Sequence, residues 1–373
     1  MSDDTEHTQR LVAAWRGAGR VLSRSLLEPT VGELLASLAE APYDTDQAAD
    51  VYGDGVVAAL ERRVADLLGT GDAAFFPSGT MAQQVALRCW AGRTGSPVVA
   101  LHPMSHPERW EEAALPVVAG LRTVYPTSEA RQPEAAEVRD LPEPFGTLML
   151  ELPLRDAGFL LPTWQELTEL VDAARRRDAV VHFDGARLWE STVHFGRPLA
   201  EIAALADSVY VSFYKSLGGL SGAALAGPAS FVEEARVWRH RYGGRIFRQF
   251  PQALAALDGL ERELPRLPAY VAQARVVAAA LQEAFTEAGL PWFRVHPEVP
   301  HTHQFQVWLP YEAERLTDAG LRLAEETGTA LFRRWSPDGP PGLAMTELEV
   351  TEPGLAWTAG DVREAAAAFV ARL

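Results

Sequence analysis

A single lysine, Lys215, occurs in 373 residues, and every other Lys/Arg cation is arginine. Lysine is normally among the commonest residues, so a chain that uses arginine everywhere else keeps lysine where arginine cannot serve. A guanidinium stays protonated, whereas a desolvated amine loses its proton and attacks a carbonyl to form a Schiff base. Lys215 closely follows the apolar run Ser208-Val-Tyr-Val-Ser212, and Asp184 follows Ala179-Val-Val-His-Phe183. In an open α/β sheet ligands bind outside the carboxyl ends of the strands, so both residues are expected to face one crevice. Pyridoxal phosphate chemistry needs this pair. The lysine holds the aldehyde as an imine, and the carboxylate keeps the pyridine nitrogen protonated so that the ring accepts electrons. Read alone, Asp184 is also consistent with a turn residue before Gly185.

The phosphate of such a cofactor needs a cradle. Phe75-Phe-Pro-Ser-Gly-Thr80 precedes the helical run Met81–Leu87, placing Ser78, Gly79 and Thr80 at a helix start, where free N–H groups and the helix dipole favour an anion. Any capped helix has the same local look; a preceding strand strengthens the reading. Tyr210 to Ser212 and the glycines after Lys215 are candidates to close the phosphate side. Arg245 and Arg248 offer delocalised cations, with surface helix charge an equally good reading of each.

These residues need an α/β frame to position them. From about residue 56, helix-like stretches such as Val57–Leu68 alternate with short apolar runs at 73–76, 98–101, 147–151, 179–183, 208–212 and 223–226. That pattern predicts a mainly parallel sheet with helices on both faces. We divide the chain into an N-terminal helical arm (1–28), a large α/β domain (29–258) and a small C-terminal α+β domain (259–373). The small domain is expected to hold a long helix to about 289, a strand over 303–309, a helix near 312–326, two further strands and a last helix over 359–373. A formal charge of -16 argues against a nucleic-acid surface, which requires clustered cations. The lone Cys89 excludes an intrachain disulfide framework and reads as a buried helical thiol in a reducing compartment. No stretch reaches membrane-spanning length, and the acidic N-terminus lacks a secretory pattern; the expected location is cytoplasmic.

In order along the chain stand Val51-Tyr-Gly53, Leu60-Glu61, Pro77-Ser-Gly-Thr-Met-Ala82, Ser105-His106 with Glu111, His182-Phe-Asp-Gly-Ala-Arg-Leu188, Ser212–Gly219 around Lys215, and Gly243-Gly244 ahead of Arg248-Gln249. This series, covering about residues 51–258, resembles the L-threonine aldolase and β-eliminating lyase group of fold-type I pyridoxal phosphate enzymes. The resemblance implies a fold-type I α/β architecture with a smaller C-terminal α+β domain, and a homodimer or homotetramer with shared active sites. It implies Lys215 as the Schiff-base lysine, Asp184 as the partner of the pyridine nitrogen and Arg187 as the arginine that binds the substrate α-carboxylate. His106 resembles the histidine that stacks over the cofactor and takes part in proton transfer, and Ser78, Gly79 and Thr80 resemble the phosphate turn. The implied reaction cleaves the Cα–Cβ bond of a β-hydroxy-α-amino acid such as threonine, giving glycine and an aldehyde.

Departures from the family pattern surround the substrate. The Asn-Thr-His stretch usual after the strand glutamate is replaced here by Leu152-Pro-Leu-Arg-Asp-Ala-Gly158, so a second histidine is missing. A second carboxylate-binding arginine is absent from Ala344–Val350, with Arg155 and Arg333 as candidates to replace it. In Pro300-His-Thr-His-Gln304, His301 or His303 is a candidate substrate-binding base at a domain junction, with a plain backbone hydrogen bond an even alternative. A metal ranks below both, because no cysteine or carboxylate set accompanies the pair. These changes keep two other readings open: β-elimination or transamination on the same cofactor, and a non-catalytic relative.

Overall fold

Strands buried on both faces are near-continuously apolar, and the runs found in the sequence form such a sheet. The computed structural model describes residues 2–27, 29–41, 43 and 46–373. Numbering the strands of the large sheet in chain order, β1 is Asp72–Phe76, β2 Val98–Ala100, β3 Arg122–Val124, β4 Thr147–Glu151, β5 Val180–Gly185, β6 Ser208–Ser212 and β7 Ala223–Gly227. Their order across the sheet is β1-β7-β6-β5-β4-β2-β3. All neighbours run parallel except β7, which is antiparallel to both β1 and β6. The expected mainly parallel sheet is therefore present. β3 escaped notice in the sequence because it is a short edge strand with one exposed and one half-buried residue, Arg122 and Thr123.

The register decides the site. Glu151 pairs with Asp184, and Asp184 with Tyr210, so three polar side chains stand abreast at the carboxyl ends of β4, β5 and β6. The helix Gly79–Thr94 follows β1 directly. Ser78 caps it in extended conformation, its Oγ accepting the Met81 N–H at 3.3 Å. Ala82, Val85, Ala86, Cys89 and Trp90 of that helix pack with Ala74, Phe76, Tyr210 and Phe231, and Trp90 stacks on Phe231 at 4.6 Å. Cys89 is a buried thiol with a pKa pushed up to about 12, chiefly by burial, as the helical spacing implied.

Two units divide the chain, Leu35–Pro265 and a second built from Met1–Leu34 with Arg266–Leu373. The N-terminal arm thus groups with the C-terminal region. Its helix Ser2–Gly17 buries Leu11 and Trp15 against Leu321 and Ala324, and Arg20–Val21 pairs in parallel with Thr329–Ala330. The helix expected to run from 259 to 289 is instead two, Phe250–Arg262 and Leu267–Glu287, joined by a 3-10 turn at Leu264–Arg266. Pro265 and Pro268 account for the break, since proline supplies no N–H to a continuing helix. A four-stranded antiparallel sheet of Ser336–Pro337, Ala344–Glu349, Gln304–Leu309 and Arg294–His296 completes the second unit with the helices Ala313–Thr327 and Ala359–Val370.

Gly259 shows how tightly the first unit holds the segment after Lys215. A Cβ built there would fall inside contact distance of the Leu217 carbonyl oxygen and 3.1 Å from Leu217 Cβ. Alanine is the better helix former by about 1 kcal/mol, yet the clash is with backbone. Gly259→Ala is therefore expected to destabilise the protein by about 1–3 kcal/mol in denaturant unfolding; a neutral or stabilised variant would contradict this packing.

Candidate active site

A cavity of about 220 Å³ opens at the carboxyl ends of β5 and β6. Ser78, Gly79, Thr80, Gln83, His106, Glu111, Asp184, Ala186, Tyr210, Tyr214 and Lys215 are among the residues that line it. The structure thus gathers the Ser78–Thr80 turn, His106, Asp184 and Lys215 from segments far apart in sequence. One end is the start of the helix Gly79–Thr94, whose first N–H groups have no partner inside the helix. A Cβ at Gly79 would land on the Tyr210 hydroxyl, with Tyr210 Cζ at 2.9 Å. Only glycine allows that approach. The buried Tyr210 has its pKa pushed well above the usual range by desolvation and stays neutral.

The other end carries ionisable groups, with Glu151 and Arg187 near enough to influence them but outside the lining. Asp184 is buried, its Oδ1 accepting the Ala186 N–H at 3.1 Å; burial raises its pKa, and Lys215 and His106 oppose that rise. Glu151, also buried, accepts the N–H of His106 at 2.7 Å and that of Arg155 at 3.1 Å. Its pKa is lifted to about 7 by burial first and by the nearby Asp184 second. Lys215, half-buried, is brought down to about 8 by burial, then by Arg187, with Asp184 and Glu151 pulling the other way. His106 Nδ1 lies 3.0 Å from Glu111 Oε1. A carboxylate only accepts, so Nδ1 carries the proton, and in the neutral ring Nε2 is free to take one. The Arg187 guanidinium lies 5.4 Å from the centre of the Phe159 ring, and its buried Nε has no hydrogen-bond partner among the described residues.

Other predicted residues fall elsewhere. Ser212 ends β6 with its carbonyl bonded to Trp189 Nε1 at 2.8 Å, and Tyr210 and Ser212 share a strand face. Arg248 does not line the cavity; its guanidinium lies 5.3 Å from the Phe247 ring centre. Arg155 lies over the Trp110 ring at 5.6 Å and 3.5 Å from Asp156 Oδ1, while Arg333 is exposed. His301 is half-buried and His303 fully buried in the second unit. His303 Nδ1 donates to the Val350 carbonyl at 3.0 Å and its ring stacks on Tyr270, the backbone-bonding role held open as the alternative. Among the described residues no group of three or more His, Cys, Asp or Glu is placed to hold a metal, and no helix is long and apolar enough to cross a membrane. Gln83, Tyr214 and the carboxyl of Glu151 were not picked out from sequence; Tyr214 could have been, as the neighbour of Lys215.

A half-buried lysine and a buried aspartate at the strand ends of this sheet, opposite a glycine-bearing helix start, define a class that comparison makes specific. The model of the β-eliminating lyase family matches residues 25–295, and the chain belongs to that family. The architecture is that of fold-type I pyridoxal phosphate enzymes. A solved structure from Exiguobacterium sp. 255-15, assigned as an aromatic amino acid β-eliminating lyase/threonine aldolase, is 34% identical with a TM-score of 0.88, covering 98% of this chain and 100% of that one. Another, from Listeria monocytogenes EGD-E and assigned as an L-allo-threonine aldolase, is 30% identical with a TM-score of 0.89, covering 98% and 99%. The low-specificity L-threonine aldolase 1 of Arabidopsis thaliana is 27% identical over 83% of this chain and 88% of its own length.

The depressed amine makes a direct prediction. Below pH 8 Lys215 is protonated and cannot attack a carbonyl; above it the free amine accumulates. Labelling by an aromatic aldehyde with reductive trapping, read by peptide mass, is expected to rise with pH and reach half its maximum near pH 8. An ordinary lysine, with a pKa of about 10.4, would shift that midpoint more than two units higher and refute the assignment.

Proposed function

We propose that the protein is a pyridoxal phosphate-dependent aldolase that cleaves a β-hydroxy-α-amino acid such as threonine to glycine and an aldehyde. The observation that carries this is the approach of the chain's one lysine and the buried Asp184 within a single cavity whose far end is a helix start. The donor set fits the cofactor. Anion-binding N–H groups stand at Ser78, Gly79 and Thr80, a carboxylate for a basic ring nitrogen stands at Asp184, and an amine of lowered pKa at Lys215 suits an aldehyde. When bound, the cofactor supplies a carbonyl that captures amines and a ring that accepts the electron pair of a bond broken at Cα.

The protein's own residues do the rest. Asp184 holds the proton on the ring nitrogen. Arg187, stacked over Phe159, offers its planar fork to the substrate α-carboxylate. Glu111 fixes the His106 ring with Nδ1 protonated, leaving Nε2 to accept the proton of the substrate β-hydroxyl. Glu151 fixes the backbone of His106 and Arg155 together, and so sets where both side chains begin. Arg155 occupies the stretch where aldolases usually carry Asn-Thr-His, and that replacement supports β-elimination or transamination as the second reading.

Further readings accompany the first. Exposed Val51, Tyr52, Ile246 and Phe247 lie near the cationic Arg245 and Arg248, which supports self-association into a dimer or tetramer with shared sites and gives Arg248 a place toward a neighbouring subunit. The single buried Cys89 suits a cytoplasmic location.

Incubation of the cofactor-loaded protein with threonine, allo-threonine and phenylserine is expected to release glycine and an aldehyde; ammonia and a keto acid would instead establish elimination. Lys215→Ala should lose the visible band of the bound cofactor and the activity with it. Arg187→Ala should weaken substrate binding about a hundredfold, as loss of two charged hydrogen bonds implies, while cofactor affinity changes only a few-fold. Equal losses would contradict its role. Sedimentation of the protein as a fully active monomer would rule out shared sites.

A further inference from the structure

A chain of buried polar side chains runs behind the cavity, and its hydrogen bonds have one sense. Trp90 Nε1 donates to Ser208 Oγ at 2.7 Å, Ser208 Oγ lies 2.7 Å from His182 Nδ1, and His182 Nε2 lies 2.8 Å from Gln83 Oε1. The indole nitrogen is a donor only and an amide oxygen an acceptor only. His182 Nε2 therefore carries the ring proton, Nδ1 accepts from the Ser208 hydroxyl, and the serine oxygen receives the indole N–H. Reversing the amide would give Ser208 two donors and leave its own proton without an acceptor in the chain. Burial also holds His182 neutral, with a pKa lowered to about 3, as this tautomer requires.

The chain ends on Gln83 Nε2. Gln83 is 1% exposed, its Nε2 has no partner among the described residues, and the residue lines the cavity together with Asp184. His182 and Asp184 project from the same face of β5, two positions apart, so the amide bonded to His182 lies on the Asp184 side of the cavity floor. The charged groups that face Asp184 are Lys215 after β6, His106 and Glu111 from the segment after β2, and Glu151 on β4. Beside the Ala186 N–H that Asp184 accepts, the uncharged groups on its side of the cavity are Tyr210, whose hydroxyl abuts Gly79, and Gln83, whose amide N–H has no partner among the described residues.

We propose that Gln83 is a positioning residue for Asp184: its amide N–H, aimed by the His182–Ser208–Trp90 chain, donates to the Asp184 carboxylate in the loaded site and thereby keeps the cofactor ring nitrogen protonated. This rests on the pyridoxal phosphate reading above. A donor to the carboxylate makes it the weaker base, which leaves the shared proton on the ring; without that donor the proton moves toward Asp184.

The test loads the wild-type protein, Gln83→Met, Ser208→Ala and Ser208→Thr with pyridoxal phosphate carrying heavy nitrogen in the ring and reads its NMR shift without substrate. The wild-type shift should be that of a protonated ring. Gln83→Met and Ser208→Ala should move toward the unprotonated value, and Ser208→Thr, which keeps the hydroxyl, should match wild type. Cofactor affinity should fall about tenfold in Gln83→Met, the effect of one buried hydrogen bond. A wild-type shift in a folded, loaded Gln83→Met overturns the proposal, as does an identical shift in the two Ser208 variants. If Gln83→Met does not fold, the Ser208 pair decides alone, since Ser208 is not a lining residue. A wild-type protein that takes up no cofactor refutes the cofactor reading itself, whereas uptake with unaltered shifts refutes only the role of Gln83.

Discussion

The constraint on which the site depends is the burial of opposite charges beside one another at the ends of β4, β5 and β6. Removing a carboxylate or an amine from water costs several kcal/mol unless partners compensate. Asp184 and Glu151 are adjacent in register, and each raises the need for the other to be neutralised. Lys215 supplies part of that neutralisation, and burial together with Arg187 lowers its basicity although the two carboxylates oppose the change. A lysine left exposed would remain an ordinary cation; here the walls that desolvate it also make it a nucleophile.

The surrounding packing serves that arrangement. The Tyr210 hydroxyl meets the backbone at Gly79, so the strand carrying the tyrosine and the helix start are locked together without a side chain between them. Glu151 ties the segment bearing His106 to the loop bearing Arg155 through two backbone N–H groups. Farther inside, Trp90, Ser208, His182 and Gln83 hydrogen-bond to one another beside a largely apolar core rich in alanine. Buried polar chains of this kind are tolerated when each member has a partner, and the one donor left over points the chain toward the cavity.

The family match spans residues 25–295, a range that contains the strand ends and the helix start around the cavity. The connection Leu152–Gly158 after β4 is a loop whose Leu152, Leu154 and Ala157 are buried. That loop carries Arg155 beside Trp110 and Asp156, and it places Phe159 beneath Arg187.

Much was legible in the residue pattern alone. Six of the seven strands of the large sheet were readable as apolar runs because parallel strands are buried on both faces, and Lys215 announced itself by being the one amine kept in an arginine-rich chain. The edge strand β3 was not, since an exposed short strand carries no such signal. Nor was the break near Pro265 placed, though the prolines were in view. What only the tertiary structure decided was neighbourhood. Gln83 reads in sequence as an ordinary helix residue, and its role depends on a histidine 99 positions away. His303 looks like a free base beside His301 until its ring is found inside the second unit, bonded to Val350. Residue type and spacing determine which chemistry a side chain is capable of, because that is intrinsic to the group and to its place on a strand or helix. Which groups are desolvated together, and so which of them change their proton affinity, follows only from the register of β4 to β6 and the packing against them.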